Sequence, residues 1–193
     1  IYDQRYKYPE LPKCTDCHSN VNNSNQFHTV HINTFSCNTC HSQDYNNCGS
    51  CHIGSEEGAR IHSYQGYKIG MNPIKDTKKT FKYALLRQSL MAPDSWQNYG
   101  ISILANFDIR PTYKYTTPHN IIKITSRTGF KDSTGTWQIF SNCTQGCHIS
   151  KNQDGSFNNK QLYLFDSDCL DWEKSANVGI VVDGKLPARW QVN

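Results

Sequence analysis

Apolar residues along this 193-residue chain come in short bursts separated by long polar stretches. The strongest runs, "ISILANF" (101–107) and "VGIVV" (178–182), fall far short of the ~18–20 residues of a membrane span. The stretch "TKKTFKYALLRQSLM" (77–91) predicts a helix that ends before Pro93. "GISILANFDIRPTYKYT" (100–116) predicts an extended segment, and "HNIIKITSRTGF" (119–130) predicts another. In the tail, "QLYLFDSDCLDWEKSANVGIVV" (161–182) predicts a strand, a short helical turn over "DSDCLDWEKSA" (166–176), and a second strand. No periodic repeat or low-complexity linker interrupts the chain. The expectation is a single, mostly irregular unit over 1–193, with a few short helices and strands.

Such a chain has little apolar side chain from which to build a core. Apolar residues are 36% of the total, below the usual share even with the 12 glycines added, and mean hydropathy is −0.70. It either stays loose or folds around something that is not side chain. The formal charge of +4 has its signs mixed along the chain, which gives no case for nucleic acid. Ile1 opens a polar, tyrosine-rich stretch with no signal peptide, so a mature form with its targeting segment removed is expected.

The nine cysteines decide what the core holds. Six form C-x-x-C pairs in "CTDCH" (14–18), "CNTCH" (37–41) and "CGSCH" (48–52). A fourth pair in "CTQGCH" (143–148) carries one extra residue. Cys14/Cys17 and Cys37/Cys40 alone fit a zinc ribbon, with nineteen residues between the pairs. A disulfide framework is the other conservative reading. Both leave unexplained the residue after each second cysteine, which is histidine all four times: His18, His41, His52 and His148. Covalently attached haem requires that arrangement. The thiols of Cys14, Cys17, Cys37, Cys40, Cys48, Cys51, Cys143 and Cys147 add to porphyrin vinyl groups, and the adjacent imidazole becomes the proximal iron ligand. Four covalently attached haem c groups are the expectation.

The chain has eight histidines, so four remain: His28, His31, His62 and His119. A lone histidine is most often a hydrogen-bonded core or surface residue, but here the count equals the number of open sixth positions. All four are expected to be distal iron ligands. Met71 and Met91 could also ligate, and neither is needed. His28 and His31 sit three apart in "FHTVHI", so a helical turn would present both on one face to two different irons. His62 follows the third motif, and His119 follows Pro118, which stiffens its approach.

Irons closed by two imidazoles have no vacant site for oxygen, nitrite or peroxide, and they point to low-to-middling potentials. Electron transfer, not catalysis, follows. Only six residues separate His41 from Cys48, which predicts close contact between the second and third haems. With propionates and ferric irons included, net charge becomes about 0 oxidised and about −4 reduced. Arg60, Arg87, Arg110 and Arg127 then become candidate propionate partners. Residues 1–62 carry three haem motifs, 63–118 none, and 119–193 the fourth. The haem-free segment is expected either to coat the fourth haem or, given its tyrosine, phenylalanine and isoleucine, to contact other subunits. Cys169 belongs to no motif; a buried thiol is the leading reading, a partner thiol or cross-link the alternative. "NNS" at Asn22 is a formal glycosylation pattern.

In this order of parts the chain resembles the tetrahaem c-type cytochromes of the extracellular nanowire group (OmcE-like). A first CxxCH (14–18) precedes H-x-x-H (His28, His31). Two close CxxCH motifs follow, then a lone His62, then "TPHN" (His119) and the last motif. The extra residue in that motif and the unassigned Cys169 depart from the group's usual pattern. The resemblance implies a multihaem cytochrome c fold wrapped around a stacked chain of four haems. It also implies a secreted or cell-surface homopolymer that passes electrons to redox partner proteins or extracellular acceptors. It further implies a distal histidine donated across subunits, with one of His28 and His31 as candidate. Two other functions compete: a soluble periplasmic tetrahaem shuttle, and a multihaem reductase in which one of His28, His31, His62 or His119 is not a ligand.

Overall fold

The computed structural model describes residues 12–43, 67–74, 80–88, 111–116, 120–142 and 145–188. At its centre is a strand where the sequence predicts a helix. "YALLRQ" forms β2 (Tyr83–Gln88), which pairs antiparallel with β1 (Lys68–Met71) on one side and β3 (Tyr113–Tyr115) on the other. The register sets Ile69 against Leu85 and Leu86 against Tyr115. As the middle strand, β2 is covered on both faces: Tyr83, Ala84, Leu85, Leu86 and Gln88 are all buried. A strand buried on both sides shows no alternation, so its periodicity does not separate it from a helix. Residues 80–82 lead into the strand without helical structure, residues 77–79 and 89–91 lie outside the described residues, and so does most of the extended segment 100–116, whose described end is β3.

All three strands of this sheet come from the segment 63–118. In its described parts the apolar residues make the protein's own core. One cluster joins Phe35, Ile69, Tyr83, Ile149, Tyr163, Val182 and Leu186, and a second joins Ala84, Leu86, Tyr113, Leu164, Cys169, Ile180 and Val181. Gly70 shows how closely the tail packs on β1. The Met71 amide donates to Ile180 O at 2.8 Å, and a Cβ on Gly70 would lie 2.7 Å from that oxygen and inside the Leu86 side chain. Gly70→Ala is expected to lower unfolding free energy by roughly 1–3 kcal/mol, measured by urea denaturation. An unchanged midpoint would mean that the tail does not press on the strand.

The tail keeps the expected helical turn, as a 3-10 turn at Asp166–Asp168 and a helix over Asp171–Asn177. Its flanking strands shrink to a bridge between Ile69 and Tyr163 and a bond from Val182 N to Leu164 O. The predicted extended stretch 119–130 becomes a bridge at Ile121, a tight turn, and strand β4 (Gly129–Lys131).

Two hairpins of one design complete the fold: β4 with β5 (Trp137–Ile139), and β6 (Ser150–Lys151) with β7 (Phe157–Asn158). Each turns through a glycine with positive φ, Gly135 (82°) and Gly155 (84°), the left-handed position of a three-residue hairpin loop. In the first, Asp132 Oδ1 accepts from Thr134 Oγ1 and from the amides of Thr134 and Thr136, while Oδ2 accepts from Gln138 Nε2. The bonds from Thr134 and Gln138 hold the carboxyl down at about 2. A depressed folded pKa means that the contribution is complete above the ordinary carboxylate range and is lost as pH falls towards 2. NMR titration of Asp132 is expected to give a midpoint near that value, and Thr134→Val should raise it. A midpoint unmoved by that change would show that the threonine does not hold the carboxylate.

Candidate haem-ligating histidine pairs

The first motif forms α1 (Cys14–Cys17), where Asp16 Oδ2 accepts from Lys13 N at 2.8 Å and His18 N donates to Cys14 O at 2.9 Å. Cys14, Cys17 and His18 are all exposed. The helical turn expected at "FHTVHI" is α2 (Gln26–His31). Asn25 starts it, its side-chain oxygen accepting from the amides of Phe27 and His28. Six residues are too few for a helix that stands on local bonds alone, so contacts must hold it. The second motif forms α3 (Cys37–His41). Just before it, Phe35 stacks on Tyr83 with ring centres 5.0 Å apart, and Ser36 N donates to Tyr83 O. Helices α2 and α3 are thereby anchored to the start of β2.

The fourth motif is fixed from the other side. Tyr163 Oη donates to Cys147 O at 2.6 Å, and Asn159 Nδ2 donates to His148 O at 3.0 Å. Cys147 packs on the cluster around Phe35 and Tyr83.

This framework brings the sequence-predicted ligands together in pairs. The rings of His28 and His41 are 5.9 Å apart centre to centre, tilted by 49°. Those of His31 and His148 are 6.0 Å apart, at 81°. Each pair joins a motif histidine to a distal candidate, and α2 supplies the distal member of both. Two imidazoles on opposite sides of one metal ion are expected about 6 Å apart, from metal–nitrogen bonds of about 2 Å and the offset of each nitrogen from its ring centre.

Direct ring contact also falls in that range, so the hydrogen bonds at the other ring nitrogen matter more. His31 Nδ1 bonds to Phe27 O at 2.9 Å. His41 Nδ1 lies 3.2 Å from both Ile122 O and Lys123 O. His28 Nδ1 is 2.6 Å from Ser24 Oγ, whose own proton goes to Val21 O, and 3.2 Å from Asn25 Nδ2. Carbonyls only accept, so His31 and His41 donate from Nδ1 and keep the Nε2 lone pair for a metal, the usual arrangement of ligating histidines. Burial lowers the pKa of His28, with the charges of His41 and His31 adding to the effect against the Val21 carbonyl. That favours the neutral, ligating form. Nε2 of His148 is buried.

The cysteines fit a thioether better than a thiolate site. Burial pushes Cys40 up to about 11 and Cys147 up to about 12, opposed in both by Arg127. A thioether has no charge to bury, whereas zinc ligation requires the thiolate. Cys14, Cys17, Cys37 and Cys40 are all described, and among the described residues no three His, Cys, Asp or Glu converge as a metal site. The zinc-ribbon arrangement is therefore not assembled, and none of the six described cysteines is in a disulfide. A haem iron needs only two axial ligands from protein, because the porphyrin supplies the other four. Exposed apolar side chains also sit on the elements that carry the pairs: Val30 in α2, and Ile121 beside the carbonyls that hold His41. A porphyrin face would cover such groups.

Cys48, Cys51, His52, His62, His119 and Cys143 lie outside the described residues, as do Arg60, Arg110 and Met91. Cys169 is buried, receives Asn177 Nδ2 at 3.5 Å, and is held up at about 11 by burial. Ser24, Thr125 and the 122–123 carbonyls are site residues that sequence reasoning missed. "TSRTG" fell within the stretch 119–130 that the sequence predicts to be extended, so neither its turn nor its neighbours were foreseen.

No known family's sequence profile matches the chain, and no curated protein or solved structure is significantly similar to it.

Proposed function

We propose that the chain is a tetrahaem c-type cytochrome that carries electrons as a subunit of an extracellular filament. The observation that carries this reading is the double pairing on α2, His28 with His41 and His31 with His148. A haem closed by two imidazoles supplies one-electron transfer with no vacancy for a substrate. The chain's own part is to hold four thioether cysteine pairs, fix the imidazole tautomers through Nδ1, and set two sites side by side on one rigid turn.

Both members of the H-x-x-H pair meet motif histidines of their own chain. This supports His62 or His119, rather than His28 or His31, as the ligand donated to a neighbouring subunit. The exposed His18 is where a second copy can reach a proximal site. Covalent haem attachment takes place outside the cytoplasm, which agrees with a secreted or cell-surface location. No helix among the described residues is long and apolar enough to cross a membrane.

The test has two stages. Intact-mass analysis of the native protein should show four covalent haem additions, and electron paramagnetic resonance should show low-spin ferric iron throughout. Negative-stain microscopy of undenatured material should then show filaments of constant width. Protein without haem mass would remove the whole reading. Monodisperse single chains with four haems would leave the soluble shuttle, and a high-spin signal would leave a reductase.

A further inference from the structure

The two histidine pairs share a wedge, the tight turn of residues 125–128. Thr125 N donates to Thr128 Oγ1, and the amides of Thr128 and Gly129 both return to Thr125 O at 2.9 Å. From this turn Thr125 Oγ1 donates to Cys40 O at 2.6 Å, on the side of the His28–His41 pair. Arg127 O lies 3.4 Å from Cys147 Sγ, on the side of the His31–His148 pair. The guanidinium reaches back to the first side, where Nη2 donates to Ser42 O. Arg127 is only 4% exposed.

We propose that Arg127 is a potential-setting residue shared by two haem sites, those of Cys37/Cys40/His41–His28 and Cys147/His148–His31, and that it raises both reduction potentials together. This rests on the haem reading above. An arginine keeps its charge at any accessible pH, and burial removes the water that would screen it. A ferrous site carries one positive charge fewer than a ferric one, so a fixed cation beside it favours the reduced state. Because the turn touches both motifs, one side chain acts on two sites.

The experiment is a spectroelectrochemical titration of the native four-haem protein and its variants, with haem content first confirmed by mass. Arg127→Gln is expected to lower the potentials of two of the four haems, each by a tenfold or greater change in the oxidised-to-reduced ratio at fixed potential, about 59 mV for one electron. Arg127→Lys should restore them near neutral pH. If the glutamine variant does not assemble, Arg127→Lys alone decides. A buried ammonium loses its proton more readily than an exposed one, so its two potentials should drop at alkaline pH by an increment that the native protein lacks. Four haems with all potentials unmoved in Arg127→Gln, or an Arg127→Lys profile parallel to the native one, would overturn the proposal. Absence of haem would instead overturn the functional reading.

Discussion

Replacing His28 with alanine is expected to open one iron and replacing His31 to open a different one, while all four haems remain attached. Each single variant should gain a high-spin ferric component. After reduction each should bind one equivalent of carbon monoxide, and the double variant two. The reasoning is local. Among the described residues, His28 faces His41 at the spacing of an axial pair, and His31 faces His148. On the proposed reading the thioether bonds form at the cysteine motifs, and α2 carries no cysteine, so haem content is expected not to depend on these side chains. Loss of a closed axial position is the largest functional change available here, because it converts a carrier into a site that takes up small molecules. If both variants stayed low-spin and inert to carbon monoxide, α2 would not be the ligand helix and the pairing would be wrong. Loss of affinity for a neighbouring copy in either variant would also return the cross-subunit role to this helix.

The largest effect on stability is expected at Glu173, which is fully buried in the helix over Asp171–Asn177, here α4. Its Oε1 accepts from Leu170 N at 3.0 Å, which caps the helix from within. Its Oε2 accepts from Thr112 Oγ1 at 2.6 Å, with Gln88 Nε2 at 3.5 Å. Asn177, also fully buried, accepts from Thr112 N and donates to Thr112 Oγ1 at 2.7 Å. One carboxylate thus ties α4 to β2 and to the start of β3. Glu173→Ala leaves buried donors without acceptors and a cavity, and is expected to cost roughly 3–5 kcal/mol, since breaking a buried hydrogen-bonded charge is far worse than never having one. For a chain of this length that is a fall in midpoint of about 10 °C. Glu173→Gln, which keeps the shape, should cost about half as much or less. Thr112→Val combined with Glu173→Ala should cost less than the two separately, because they share a bond. A loss below about 1 kcal/mol for Glu173→Ala would mean that the network is not what docks α4.

What the sequence made legible was whatever depends on neighbours in the chain. The cysteine motifs, the histidine after each, and the single face shared by His28 and His31 are all short-range patterns, and α2 lies where "FHTVHI" placed it. Partner choice depends on the tertiary fold. His28 meets His41 because Phe35 and Tyr83 pin α3 to the sheet, and His31 meets His148 because Tyr163 holds Cys147. No spacing encodes that. The helix expected at 77–91 failed for a related reason. A strand with neighbours on both sides buries every residue it can, and "YALLRQ" reads the same way in a helix. Arg127 was legible as a cation to pair with propionates, but its position between two motifs depends on a turn whose contacts lie about eighty residues away in the chain.

That separation gives the chain an order of events. His41 takes its carbonyl partners from Ile122 and Lys123, 81 and 82 residues later, and Thr125 reaches back 85 residues to Cys40. His31 waits longer still, for the last motif. The N-terminal helices are too short to persist unaided, and non-local closure is slow and comes late. On the proposed reading, the early motifs would emerge during export as open chain, with thiols and imidazoles accessible, and would become enclosed only after the C-terminal part has arrived. The topology would then hold the chain open for the proposed haem loading, and a truncation before Tyr163 should yield protein that is loaded at its early motifs yet never closes around them.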